Sequence, residues 1–152
     1  MKVCELMSPA VVAVDAKAPL RHVLQLMLRW HLNDVVVVDA QQRLAGIVTY
    51  ADLSRRLLPT ESELMEHEEY MCQPESMEDR VAGITAVPVG EVMTRHVVTV
   101  CPEEEVLKAG AIMTARHIKQ LPVLRGEKVV GIISHTDIGW GLLMQYGRGG
   151  GY

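Results

Sequence analysis

One seven-residue design occurs twice in this chain, and it restricts the possible folds more than any other feature. Gly46-Ile-Val-Thr-Tyr-Ala-Asp52 returns as Gly131-Ile-Ile-Ser-His-Thr-Asp137. Two aliphatic residues after a glycine read as the end of a buried strand, and Thr/Ser-x-x-Asp at its exit reads as the first turn of a helix. Such a junction carries unpaired backbone N–H groups at the positive end of a helix dipole, beside a hydroxyl and a carboxylate. It suits a small polar ligand or an anion. It equally suits simple capping, with Thr49 and Ser134 closing the helix ends and Asp52 and Asp137 set against the dipole.

The surrounding sequence repeats as well. Val3-Cys-Glu-Leu-Met7 corresponds to Val89-Gly-Glu-Val-Met93, and Val11-Val-Ala-Val14 to Val97-Val-Thr-Val100, both at an offset of 86. Met27, His31 and Val37 fall on Met113, His117 and Val123 at the same offset, and the two signatures at 85, because the second copy loses one residue in a turn. One unit is therefore used twice. Two copies are too few for a solenoid, and a pair packed about a pseudo-twofold axis is the expected arrangement.

A chain of 152 residues with 49% hydrophobic content can bury a core. Only 4% is aromatic, with no Phe, so Val, Ile, Leu and nine Met must build it. Cys4, Cys72 and Cys101 are dispersed and form no CxxC, which predicts reduced thiols in a cytoplasmic protein. No stretch is long enough and apolar enough for a signal core or a membrane span. Charge is uneven: residues 59–80 hold eight carboxylates against the single Arg80, a net of −7 set against −4 for the whole chain, so the rest is about +3. That balance fits a mildly anion-attracting body with an acidic connector. Without a basic run or interleaved aromatics, it does not fit a nucleic-acid surface.

In chain order, Val11–Val14 reads as a strand and Pro19 as the opening of a helix. Leu20, Val23, Leu24, Met27 and Leu28 form the apolar face of that helix. Val35–Asp39 and Leu44–Val48 read as a hairpin about the polar turn Ala40–Arg43, followed by a helix over Ala51–Leu58. Thr60-x-x-Glu63 has capping-box form and predicts a connector helix ending before Pro74, with Met77–Pro88 a loop or strand beyond it. Copy two retraces copy one through Val97–Val100, a helix over Glu103–Arg116, strands at Leu121–Leu124 and Val129–Ile133, and a helix over Thr136–Tyr146. The expected division is repeat one at 1–58, connector at 59–88, repeat two at 89–146 and a flexible tail at 147–152.

Val89-Gly-Glu-Val-Met-Thr94, Val97–Val100, Leu121-Pro-Val123 and Gly131–Asp137, with their copy-one counterparts, resemble a tandem pair of cystathionine-β-synthase (CBS) domains, the Bateman module. The resemblance implies an α/β (α+β) fold of two β-α-β-β-α repeats. It also implies a stand-alone regulatory module binding an adenosine-containing ligand (AMP, ADP, ATP, S-adenosylmethionine or NAD) in a cleft between the repeats, with Mg2+ admitted as a companion ion. By the same resemblance Asp137 and Asp52 hold the ribose hydroxyls, and Ser134 and Thr49 face ribose or phosphate. The adenine lies between Thr99–Cys101 and Lys119–Pro122 (Thr99, Cys101, Lys119, Leu121, Pro122) in copy two. In copy one it lies between Ala13–Asp15 and Asn33–Val36 (Ala13, Asp15, Val35, Val36). Copy one departs by placing Val36 where copy two has Pro122, and Asp15 adds a negative charge beside an anion site.

His135, directly after Ser134, is expected to take up a proton when a phosphate binds beside it; copy one has Tyr50 there, with Arg55 and Arg56 a turn later. His31 and His117 at equivalent helix ends read as structural. His67 and Cys72 lack further ligands at metal spacing. No nucleophile constellation is present, so no catalytic residue is expected. Helix residues Leu53, Leu57, Ile138, Leu142 and Leu143 exceed what one thin core can bury, which predicts a homodimer; the partner regulated by the module is not named by the sequence. The alternative reading is a structural or dimerisation module with vestigial sites.

Overall fold

The computed structural model describes residues 1–66 and 74–147. Its elements run α1 (Val3–Leu6), β1 (Ala13–Asp15), α2 (Leu20–Trp30), β2 (Asp34–Val38), β3 (Leu44–Thr49), α3 (Tyr50–Leu57), α4 (Glu61–Glu66) and α5 (Pro74–Thr85), then a 3-10 turn at Val89–Glu91. They continue with α6 (Val106–Arg116), β4 (Gln120–Arg125), β5 (Lys128–Ser134) and α7 (His135–Tyr146). The β-α-β-β-α order expected of copy one is present, and the fold is α+β.

Contacts divide the chain into two compact units that cross the repeat boundaries. One holds Met1–Val11, Gln42–Leu44 and the residues from Val98 onward; the other holds Val12–Gln41 and Ala45–Val97. Each unit thus contains one repeat's body and the leading segment of the other repeat.

In the copy-one unit β2 lies between β1 and β3, and β1 runs parallel to β2 with Ala13 beside Val36 and Asp15 beside Val38. Leu20, Val23 and Met27 of α2 enter the core with Val14, Val35, Val37, Val48 and Leu53. They share one face because they stand three and four residues apart, and each buried side chain contributes about 1.5–3 kcal/mol. The leading segment of copy two closes this core through Val89 and Val92. It is held by Val89 N–H donating to Ala18 O at 2.8 Å and by the exchanged pair Ile47 N–Thr94 O (3.0 Å) and Thr94 N–Ile47 O (2.8 Å).

The copy-two unit repeats this plan. Antiparallel β4 and β5 pair from Gln120–Ser134 to Arg125–Lys128, and Val106, Ala109 and Met113 of α6 pack with Leu121, Val123, Ile133, Ile138 and Val3. Ser8 and Ile132 exchange N–H···O bonds of 2.9 Å each. The signature glycines follow from that pairing: a Cβ on Gly131 would lie 2.7 Å from Met7 Sδ and 2.9 Å from Ser8 O, and one on Gly46 would lie 2.6 Å from Met93 Sδ and 2.8 Å from Thr94 O.

Three expectations need correction. The strand expected at Val97–Val100 is only an isolated parallel bridge, Val100 with Val123. In copy one Val36 N–H donates to Val12 O at 3.3 Å, whereas Pro122 at the equivalent position has no N–H, so the ladder is cut to Val100 N–Pro122 O (3.2 Å) and Leu124 N–Val100 O (2.9 Å). Met77–Pro88 is mostly helical, within α5. Finally, Leu53 and Ile138 are not surplus apolar surface: they are 1% and 7% exposed in their own cores, while Leu143 is 63% exposed.

The Thr60–Glu63 box forms as expected, with Glu63 accepting from Thr60 N at 2.7 Å and Oγ1 at 2.9 Å. The remainder of the expected connector helix, with His67 and Cys72, and tail residues 148–152 lie outside the described residues. Among the described residues no helix is long and apolar enough to cross a membrane.

Candidate functional site

Each signature places its hydroxyl residue at the last position of a strand and its aspartate in the first turn of a helix. Ser134 N–H and Oγ–H donate to Asp137 Oδ2 at 2.8 and 2.7 Å, and Asp137 N–H returns a bond to Ser134 Oγ at 3.1 Å. Thr49 and Asp52 reproduce the arrangement at 3.0, 2.9 and 3.2 Å. The capping reading of the motif is thus present in both copies. The residues cap their helices, and one carboxylate oxygen is used in doing so.

The second carboxylate oxygen separates the copies. Asp52 Oδ1 accepts from Arg55 Nη2 at 2.8 Å. Asp137 Oδ1 has no hydrogen bond or ion pair among the described residues, because the residue three positions on is Trp140, which has no cationic group to pair with a carboxylate. Among the described residues Asp137 Oδ1 is thus an open acceptor, whereas Asp52 Oδ1 is held by a guanidinium.

The other expected site residues assemble around these turns, each set within its own unit. In copy two His135 N–H donates to Lys119 O at 2.9 Å, Gln120 pairs with Ser134, and Pro122 O receives Val100 N–H, so Thr99–Cys101, Lys119–Pro122 and Ser134–Asp137 form one connected edge. Cys101, Lys119 and His135 are exposed and Thr99 half-buried. In copy one Tyr50 N–H donates to Asn33 O at 2.7 Å, and β1 brings Ala13 and Asp15 alongside Val36 and Val38. Asp15 Oδ1 accepts from Lys17 N–H at 2.8 Å, so its charge is partly spent on its own turn. Leu121 and Val35 are 0% and 1% exposed and point into the cores. They can offer a ligand only backbone groups.

Two features were not foreseen. Asp34, opening β2 beside Asn33, is half-buried without an ion-pair partner among the described residues, and burial pushes its carboxyl up to about 6. In copy two, an open hollow of about 580 Å³ runs along one face of α7, with Glu5, Asp137, Trp140, Gly141, Met144 and Gln145 in its walls. Its signal in the sequence is the i, i+3, i+4 spacing of Asp137, Trp140 and Gly141.

The profile of the CBS domain matches residues 3–59 and 89–138, the two repeats with their leading segments. The chain belongs to the CBS-domain family. Among relatives, it is 31% identical to the chloride channel protein CLC-f of Arabidopsis thaliana over 152 residues, covering 94% of this chain and 18% of that protein. It spans 18%, 34% and 47% of the length of three curated relatives that it matches. Among solved CBS structures, CBSX2 in complex with AMP has a TM-score of 0.73 at 18% identity, covering 95% of this chain and 97% of that one. The CBS domain pair of protein MJ0100, in complex with 5′-methylthioadenosine and S-adenosyl-L-methionine, has a TM-score of 0.70 at 19% identity, covering 95% and 98%. These two likenesses show the CBS fold alone.

Proposed function

We propose that this CBS pair is a regulatory module that binds an adenosyl ligand, with Asp137 as the residue that receives the ribose. The observation that carries the reading is the divided Asp137 carboxylate: Oδ2 is fixed by Ser134, which holds the group at a set angle, and Oδ1 is left open for vicinal hydroxyls. Charge-assisted bonds of that kind are the stronger class. Ser134 Oγ, Thr99–Cys101 and the Lys119–Pro122 edge supply the remaining polar contacts, with His135 and Lys119 exposed beside the turn. AMP, 5′-methylthioadenosine and S-adenosylmethionine, bound by the two solved CBS structures, support the adenosyl class. Mg2+ would arrive only with a polyphosphate. The module would act on its partner through ligand occupancy rather than by catalysis.

Calorimetric titration with adenosine, AMP, ADP, ATP, S-adenosylmethionine and NAD tests this. At least one should bind, and Asp137→Asn should weaken it by about ten- to a hundredfold. No binding by any of them at millimolar concentration would reject the reading and leave the structural-module alternative. That alternative has one specific observation in its favour, confined to copy one, where both oxygens of Asp52 are already engaged. Self-association remains a proposal. Its surface would be the exposed Leu143 and Tyr146, which stand three residues apart on α7 away from Asp137 and Gly141; light scattering giving the mass of a single chain would refute it.

A further inference from the structure

We infer that the Asp137 site selects an adenosyl ligand carrying positive charge at its 5′ end, an adenosyl sulfonium, over one carrying a phosphate chain. The inference rests on the adenosyl reading above and adds to it the chemistry of the ligand's other end.

The hollow beside Asp137 has two carboxylates in its walls, Asp137 and Glu5, no lysine or arginine, and one cation, the Met1 amine, which pairs with Glu105 at 3.5 Å. Glu5 Oε1 accepts only from Lys2 backbone N–H, at 2.8 Å. The ammonium groups of the leading segment are committed elsewhere: Lys2 Nζ and the Met1 amine both pair with Glu105. Lys119 and His135, basic residues of the neighbouring turn, are not among the lining residues. With the Met1 amine paired to Glu105, a phosphate chain entering here would meet two like charges against that one neutralised cation, whereas a sulfonium would meet two opposite ones. Trp140, 64% exposed, adds an indole face that attracts a cation, and Met144 adds a polarizable wall.

Comparison of the two copies shows that this charge pattern is built in. The counterparts of Trp140 and Gly141 are Arg55 and Arg56. Arg55 pairs with Asp52, and Arg56 Nη2 donates at 3.4 Å to the carbonyl of Glu91, the counterpart of Glu5. At Gly141 a Cβ would lie 2.3 Å from Leu6 Cδ1 and 2.6 Å from Cδ2, so a larger residue there requires the Leu6 side chain to turn away from α7.

The test is calorimetric titration of the full chain with adenosine, ATP, S-adenosylmethionine and S-adenosylhomocysteine, which lacks the sulfonium charge. S-adenosylmethionine should bind at least tenfold more tightly than either S-adenosylhomocysteine or ATP. The preference should survive Asp52→Asn, vanish in Asp137→Asn, and shrink in Glu5→Gln and in Trp140→Ala, with thermal unfolding confirming that each variant is folded. Equal affinity for the sulfonium and its neutral analogue, or tighter binding of ATP, would overturn the inference while leaving the adenosyl reading intact. Failure of all four compounds, adenosine included, would reject both.

Discussion

Substituting Gly131 by alanine puts one methyl group where the leading segment of the chain already lies. Its Cβ would fall 2.7 Å from Met7 Sδ and 2.9 Å from Ser8 O. The methionine tip can rotate away at small cost, but the Ser8 carbonyl cannot, because it accepts Ile132 N–H at 2.9 Å in a pair completed by Ser8 N–H on Ile132 O. Relief of the clash therefore requires the strand and the leading segment to separate. Overpacking of this kind costs about 1–3 kcal/mol, and weakening two backbone hydrogen bonds adds about 1 kcal/mol each. Replacing glycine in a strand interior returns about 0.5–1 kcal/mol. The expected net destabilisation is about 2–4.5 kcal/mol. Gly139→Ala is the matched control: nothing lies within 4 Å of its Cβ, and it sits inside α7, so it should stabilise by about 0.5–1 kcal/mol. Urea unfolding followed by circular dichroism measures both. A Gly131→Ala midpoint equal to wild type, at unchanged slope, would refute the claim that Gly131 exists to admit the leading segment.

Three further outcomes are expected. Burial holds the Asp34 carboxyl at about 6, above its ordinary range, so the folded state binds its proton more tightly than the unfolded chain. Its contribution is then full below about pH 4 and lost as pH rises through about 6. With partial exposure discounted, Asp34→Asn should stabilise by about 1 kcal/mol at pH 7.5 and by nothing near pH 4; an equal gain at both would exclude the titration as its source. His117 ends α6 with φ 55°, in the left-handed region. His117→Gly should therefore raise stability by about 0.5–1 kcal/mol, read as a higher unfolding midpoint, and a lower midpoint would show the imidazole to be worth more than the strain. Because Asp137 closes a capping box, Asp137→Ala should lose about 1 kcal/mol of stability as well as ligand. Unchanged stability would mean that Ser134 caps α7 without it.

The parts legible in the sequence were those set by local pattern. Apolar spacing located α2, the Thr/Ser-x-x-Asp motif located the starts of α3 and α7 to within one residue, and the repeat gave the β-α-β-β-α order. Errors came where a local signal depended on a distant partner. Val97–Val100 has strand composition, but whether it pairs is decided by a proline on another strand. Leu53 and Ile138 looked like surplus apolar surface because the leading segments that share their cores, Val89 with Val92 and Val3, come from the opposite repeat.

The candidate site divides in the same way. The residue types were determined by the sequence: a hydroxyl and a carboxylate three apart on a helix turn must meet, since the i, i+3 spacing brings them together in any helix. Whether that carboxylate is then free was a tertiary matter. Arg55 reaches Asp52 by the same local i, i+3 spacing, but only the folded chain shows the Trp140 indole lining a hollow beside Asp137 with Glu5, 132 residues earlier in the chain. Contacts so far apart along the chain leave no periodic trace, because they arise from the packing of whole elements and not from the geometry of one.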